Sequence, residues 1–221
     1  MSKKENTPDL IYTAVEKIAI SPADAMAVVN GYKKQILNNH PNISKIEVQK
    51  MISEKVIDRY SKISATSGGI TSLAGVIPGV GTAAAMLGGG SVDVAVSMKL
   101  QVDMVMCIAA AYDYDLNNED AKHMSFLIAG LGALEQTGTT QASKLASKAG
   151  VKMVEKYLRG AVLETLKQIF KIIGINFTKA AFKKALPFGI GVIVSSTTNY
   201  ALTKYVGKQT IDWFILDAQK I

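Results

Sequence analysis

Apolar residues recur along this chain three and four positions apart almost throughout, and no stretch alternates with period two between turn residues. That periodicity predicts an all-α fold, a single compact domain of about 8–10 helices. Pro8 opens a first helix reaching Ile20, with Leu10, Ile11, Ala14, Val15 and Ile18 on one face. Ser21-Pro22-Ala23-Asp24 supplies an N-cap hydroxyl, a first-turn proline and an acid at the third helical position, the start signal of a second helix to Asn38. Asn39-His40-Pro41-Asn42 breaks that helix. Ser44-Lys45-Ile46-Glu47 is a capping box, followed by Ile46, Val48, Met51, Ile52, Val56, Ile57 and Tyr60 at helical spacing. Residues 1–64 are therefore expected to be amphipathic helices packed on a core formed by residues 65–221.

The pattern then changes in kind. Ile63 to Val92 is a run of thirty uncharged residues with eight glycines, interrupted by Pro78 and by Gly88-Gly89-Gly90. It is long enough to cross a bilayer, but glycine adds almost no transfer energy, so the reading favoured is a pair of short core helices broken at Pro78. A long helix is expected from Ser91 to Tyr112, ending at Asp113, a residue type that tolerates the left-handed conformation of a helix C-cap. Asn117 or Asn118 opens the next helix, which carries the apolar run Met124 to Leu134. A second uncharged stretch, Ala185 to Thr203, is nineteen residues long, and a last helix carries Val206, Ile211, Trp213, Phe214 and Leu216. The two glycine-rich stretches are expected to form hydrophobic helical hairpins inside the core.

Charge sharpens this picture. The 221 residues are 48% hydrophobic and 19% charged, with a net charge of +7, which excludes intrinsic disorder. Residues 63–135 hold two basic and seven acidic groups, whereas residues 136–221 hold thirteen basic and four acidic ones. The last third therefore calls for an anionic partner or for the acidic middle as a counter-face. Within it Lys144, Lys148, Lys152, Lys156 and Arg159 share one helix face at roughly 100° per residue. A solvated face and an anionic membrane surface both account for such a stripe. Nucleic acid fits less well, because no recognisable module or interleaved aromatics accompany the cations.

Catalytic signatures are sparse. Gly75 to Thr82 superficially looks like a phosphate-binding loop but has no lysine before Thr82, and no G-x-S-x-G, H-E-x-x-H or C-x-x-C occurs. One cysteine, Cys107, and two histidines, His40 and His123, form neither an intramolecular disulfide nor a Cys/His zinc site, so no cofactor or metal is expected. The acidic loop Asp113, Asp115, Glu119 and Asp120 lacks calcium-loop spacing and reads as a solvated turn with a cap. Polar residues inside apolar stretches are better candidates. Asp93, Gln101 and Asn199, with Asp103 nearby, are expected to bond to one another or to helix ends across the core, or to form a ligand site.

Several segments together resemble the EcsC family of bacterial proteins, named for a component associated with an ABC exporter. The segments are Pro78-Gly79-Val80-Gly81, Gly90 to Asp93, and Ile108-Ala109-Ala110-Ala111-Tyr112-Asp113-Tyr114-Asp115, the last resembling an "IA, two residues, YGYD" signature. Downstream, Leu186 to Gly191, Asn199-Tyr200, Val206-Gly207 and Trp213-Phe214 resemble the family's ending, so the likeness spans roughly residues 70 to 216. Asp113 stands where the family usually has glycine, and an arginine usual shortly before "IA" is replaced in the region of Asp103-Met104. The resemblance implies a cytoplasmic, helical, membrane-associated protein and carries over no catalytic residue. No secretion signal is recognised at the N-terminus. The function expected is that of a non-enzymatic bacterial protein, peripheral to the inner face of the cell membrane. Its partners would be an anionic membrane surface, a lipid-like ligand or a membrane protein such as an ABC exporter. A pore-forming protein resembling colicin-type domains in outline is the alternative, and an unrecognised enzyme the second alternative.

Overall fold

The computed structural model describes residues 7–66, 77–87, 91–118, 123–126, 128–130 and 196–218. The named helices are α1 (Thr7–Ile18), α2 (Pro22–Asn39), α3 (Lys45–Thr66), α4 (Val80–Leu87), α5 (Ser91–Ala111) and α6 (Ser196–Ala218). Further helical turns occupy 123–126 and 128–130, and no strand occurs among the described residues. The fold is all-α.

Local chemistry sets the first helix boundaries. The Ser21 hydroxyl accepts from the Asp24 backbone N–H at 3.1 Å, and Pro22 takes the first helical position, where its missing N–H costs nothing. At the head of α3 the capping box is reciprocal. The Glu47 N–H donates to the Ser44 hydroxyl and the Ser44 N–H donates to the Glu47 carboxylate, both at 3.3 Å. The Ser44 hydroxyl, donating to the Glu47 carboxylate at 2.7 Å, and the Ser44 N–H hold that exposed carboxyl below its ordinary pKa. The apolar face of α3 is narrower than its spacing implied: Val48, Ile52, Val56 and Tyr60 are buried, whereas Ile46 is 75% exposed. Two residues before Val48, Ile46 falls roughly 200° around the helix and points away from the core.

α5 is the axis around which the rest is built. It packs against α1, α2, α3, α4 and α6, and every residue from Leu100 to Ala111 is buried. It lacks a polar stripe because, beyond Asp93 and Ser97 near its start, it has no solvent face. Each fully buried Val, Met or Ile here contributes roughly 1.5–3 kcal/mol relative to exposure. Val92–Ala111 is the one stretch among the described residues long and apolar enough to cross a membrane, and 94% of its most apolar 18-residue window is buried inside the fold.

Two glycines permit this packing. Gly79, just before α4, has φ +88°, and a Cβ there would lie 2.6 Å from the Cβ of Ile18 on α1. A Cβ on Gly207 of α6 would lie 2.5 Å from Ile57 Cγ1 and 3.1 Å from Met104 Sδ. The second contact lets α6 approach α3 and α5 closely. α4 begins two residues beyond Pro78, as the break there implied. Its expected partner helix in residues 67–76, the apolar run beyond residue 130 and the glycine-rich entry at 185–195 lie outside the described residues.

Candidate functional site: polar groups buried along α5

A helix so thoroughly packed should bury no charge, yet α5 buries two. Lys99 is 3% exposed and Asp103 is 4% exposed. One turn apart, they form a direct ion pair between Lys99 Nζ and Asp103 Oδ2. The other carboxylate oxygen, Oδ1, accepts a 2.7 Å hydrogen bond from the Ile20 backbone N–H. Ile20 lies between the end of α1 and the Ser21 cap of α2, so the carboxylate fastens the α1–α2 junction to the central helix. Burial raises the Asp103 pKa, with Lys99 and the Ile20 N–H acting in the opposite sense.

The next turn of α5 places Cys107 against α3. Its sulfur lies 3.7 Å from the Tyr60 hydroxyl. Burial pushes the Cys107 thiol up to about 12 and raises the Tyr60 phenol well above its ordinary value. Both groups therefore stay protonated at neutral pH, and neither is poised as a nucleophile. Among the described residues no group of three His, Cys, Asp or Glu is placed to hold a metal ion.

Of the residues singled out in the sequence, the structure describes the side chains of Gln101, Asp103 and Asp93, all on α5. Gln101 is 1% exposed, and its Oε1 accepts no hydrogen bond from the described residues. Asp93 is exposed in the first turn of α5, where its charge suits the helix dipole. Partial burial of the carboxyl raises its pKa without closing it off from water. Asn199 lies on α6, and its side chain is outside the described part. Lys144, Lys148, Lys152, Lys156 and Arg159 also lie outside the described residues. The reading of the sequence missed Lys99 and the Tyr60–Cys107 contact. Lys99 carried a signal, an i,i+4 match to Asp103 inside an apolar run.

An open cleft of about 330 Å³ lies at the α1–α2 junction, lined by Glu16, Ala19, Ile20, Ser21, Pro22, Leu116 and Asn117. Its far wall is the turn that ends α5. There Asp113 takes the left-handed conformation with φ 64°. Asp113 N–H donates to Ala110 O and Tyr114 N–H to Ala109 O, both at 3.1 Å, a Schellman cap. The Asp113 carboxylate pairs with Lys45 at 2.7 Å at the head of α3. Asp115 accepts from the Asn117 N–H at 3.0 Å. The acidic loop is thus a cap and a solvated turn where it is described.

This turn also joins two motifs that are far apart in sequence. The Phe214 ring of α6 stacks on Tyr112 at 5.7 Å and meets Tyr114 edge-on at 4.8 Å. The tyrosine motif after α5 and the aromatic near the end of α6 are two halves of one contact. Gly79 and Gly207 likewise sit where the backbone meets a neighbouring helix closely. The model of the EcsC protein family matches residues 8–214, which extends the likeness through α1, α2 and α3. No curated protein and no solved structure matches the chain.

Proposed function

The chain belongs to the EcsC protein family, and from that premise we propose that it is a non-enzymatic protein acting at the inner face of a bacterial cell membrane. In this reading it binds peripherally, through an anionic lipid surface, a lipid-like ligand or a membrane-protein partner. The observation that carries it is the charge distribution, thirteen basic against four acidic residues in 136–221, with five of the cations at a spacing that would bring them to one face of a helix. Each lysine near anionic headgroups is worth about 1 kcal/mol. Supporting it from the fold, the chemically active side chains along α5 are protonated or paired with one another. The recognised motif residues that are described here serve packing and capping.

Flotation of the full chain with vesicles tests the reading. Recovery with phosphatidylglycerol vesicles and loss with phosphatidylcholine vesicles is the expected outcome. Absence from both floating fractions would remove lipid as the partner. One observation favours a second reading, membrane insertion: the length and apolarity of Val92–Ala111. Dye release from vesicles at mildly acidic pH would support insertion, and intact vesicles with protein bound would leave the peripheral reading alone.

A further inference from the structure

We propose that α2 is a lid over α5, pinned at its N-terminal hinge by the Asp103–Ile20 hydrogen bond, whose release presents the apolar flank of α5 to an anionic lipid surface. The inference rests on the membrane reading above and adds a means of regulating it. Three independent features lead to it.

First, α2 is weakly held. Of its eighteen residues only Ala25, Val29 and Ile36 are buried, and few buried apolar contacts mark an element that opens at low cost. α1 differs, with Ile11, Tyr12, Ala14, Val15 and Ile18 all buried. Both ends of α2 are non-helical links beside a proline, Ser21-Pro22 and His40-Pro41, so α2 is joined to α1 and α3 by short connections and not by continuous helix. Second, what α2 covers is the stretch with membrane-like composition. With α2 displaced, α5 still packs on α3 and α6 while one apolar side is free. Third, the hinge is held by a buried charge. A buried ion pair is a poor stabilising device compared with apolar packing, and specifying or switching a structure is its better-attested use. Here the pair delivers one carboxylate oxygen to a backbone N–H at the hinge, where Ile20 and Ser21 also line an open cleft.

Hydrogen exchange of the full chain, alone and with phosphatidylglycerol vesicles, tests the lid. On vesicles the wild-type amides of residues 20–39 should exchange about tenfold faster or more, the factor equivalent to 1.4 kcal/mol, while those of α3 stay protected. In solution Lys99→Met/Asp103→Leu and Ile20→Pro should each accelerate exchange in α2 selectively and increase vesicle binding. Ile20→Pro removes the donor together with the Ile20 side chain and leaves the ion pair in place, and Ile20→Ala, which keeps the N–H, controls for the lost side chain. Wild-type protein that binds vesicles with α2 fully protected overturns the lid alone. So do pinning variants whose vesicle binding is unchanged. Failure of wild type and both variants to bind vesicles overturns the lid and the membrane reading together.

Discussion

Asp113 occupies a backbone conformation that costs an L-residue about 1–2 kcal/mol, and its carboxylate recovers part of that through exposed contacts to Lys45 and Gln49. Exposed ion pairs are worth about 0–1 kcal/mol. Asp113→Gly should therefore leave stability unchanged or raise it by up to about 1 kcal/mol, and Asp113→Val should lower it by about 1–2 kcal/mol, in urea denaturation. Asp103 presents the opposite balance. Asp103→Ala leaves Lys99 buried and unpaired and should cost about 3–5 kcal/mol, whereas Lys99→Met/Asp103→Leu should lie near wild type or above it. Equal losses in both variants would show that the Ile20 N–H, not the stranded charge, dominates the site. The left-handed Asp113 was legible because its cause is local. The partner of Asp103 was not, because Ile20 is 83 residues away and a backbone N–H leaves no mark on the sequence.

Helix ends in the N-terminal half were equally legible, since Ser21, Pro22, Ser44 and Glu47 act within one turn of themselves. The Glu47 carboxyl is held below its ordinary value, so its contribution to α3 is present at neutral pH and is lost as pH falls through that lowered value. Amides in the first turn of α3 should accordingly exchange faster in acid relative to those of its middle, and Glu47→Gln should flatten that dependence. Glycines that admit a neighbouring helix are harder to recognise, because the neighbour is remote. Gly207 touches Ile57 and Met104, whereas a Cβ on Gly31 of α2 would meet nothing within 4 Å. Gly207→Ala should thus cost about 1–3 kcal/mol through overpacking. Gly31→Ala should gain about 0.4–1 kcal/mol by restricting the unfolded chain. A gain at both positions would mean that α6 yields and that its close approach is not required.

At the scale of the molecule, the aliphatic excess has two meanings that the structure separates. In α5 it builds a core around which five helices pack, and the family motifs described here mark where those helices meet. Cys107 reports on that core: wholly buried and with its thiol pushed up to about 12, it should react with maleimide only at the rate of unfolding. The charge excess belongs instead to the exterior function proposed for the last third of the chain. The most direct measurement of that function compares wild type with a variant carrying glutamine at Lys144, Lys148, Lys152, Lys156 and Arg159 in binding to phosphatidylglycerol vesicles at low salt. With about 1 kcal/mol for each cation at the headgroups, the variant should bind at least about tenfold more weakly, and added salt should narrow the difference. Undiminished binding by the variant, at either salt concentration, would contradict the account.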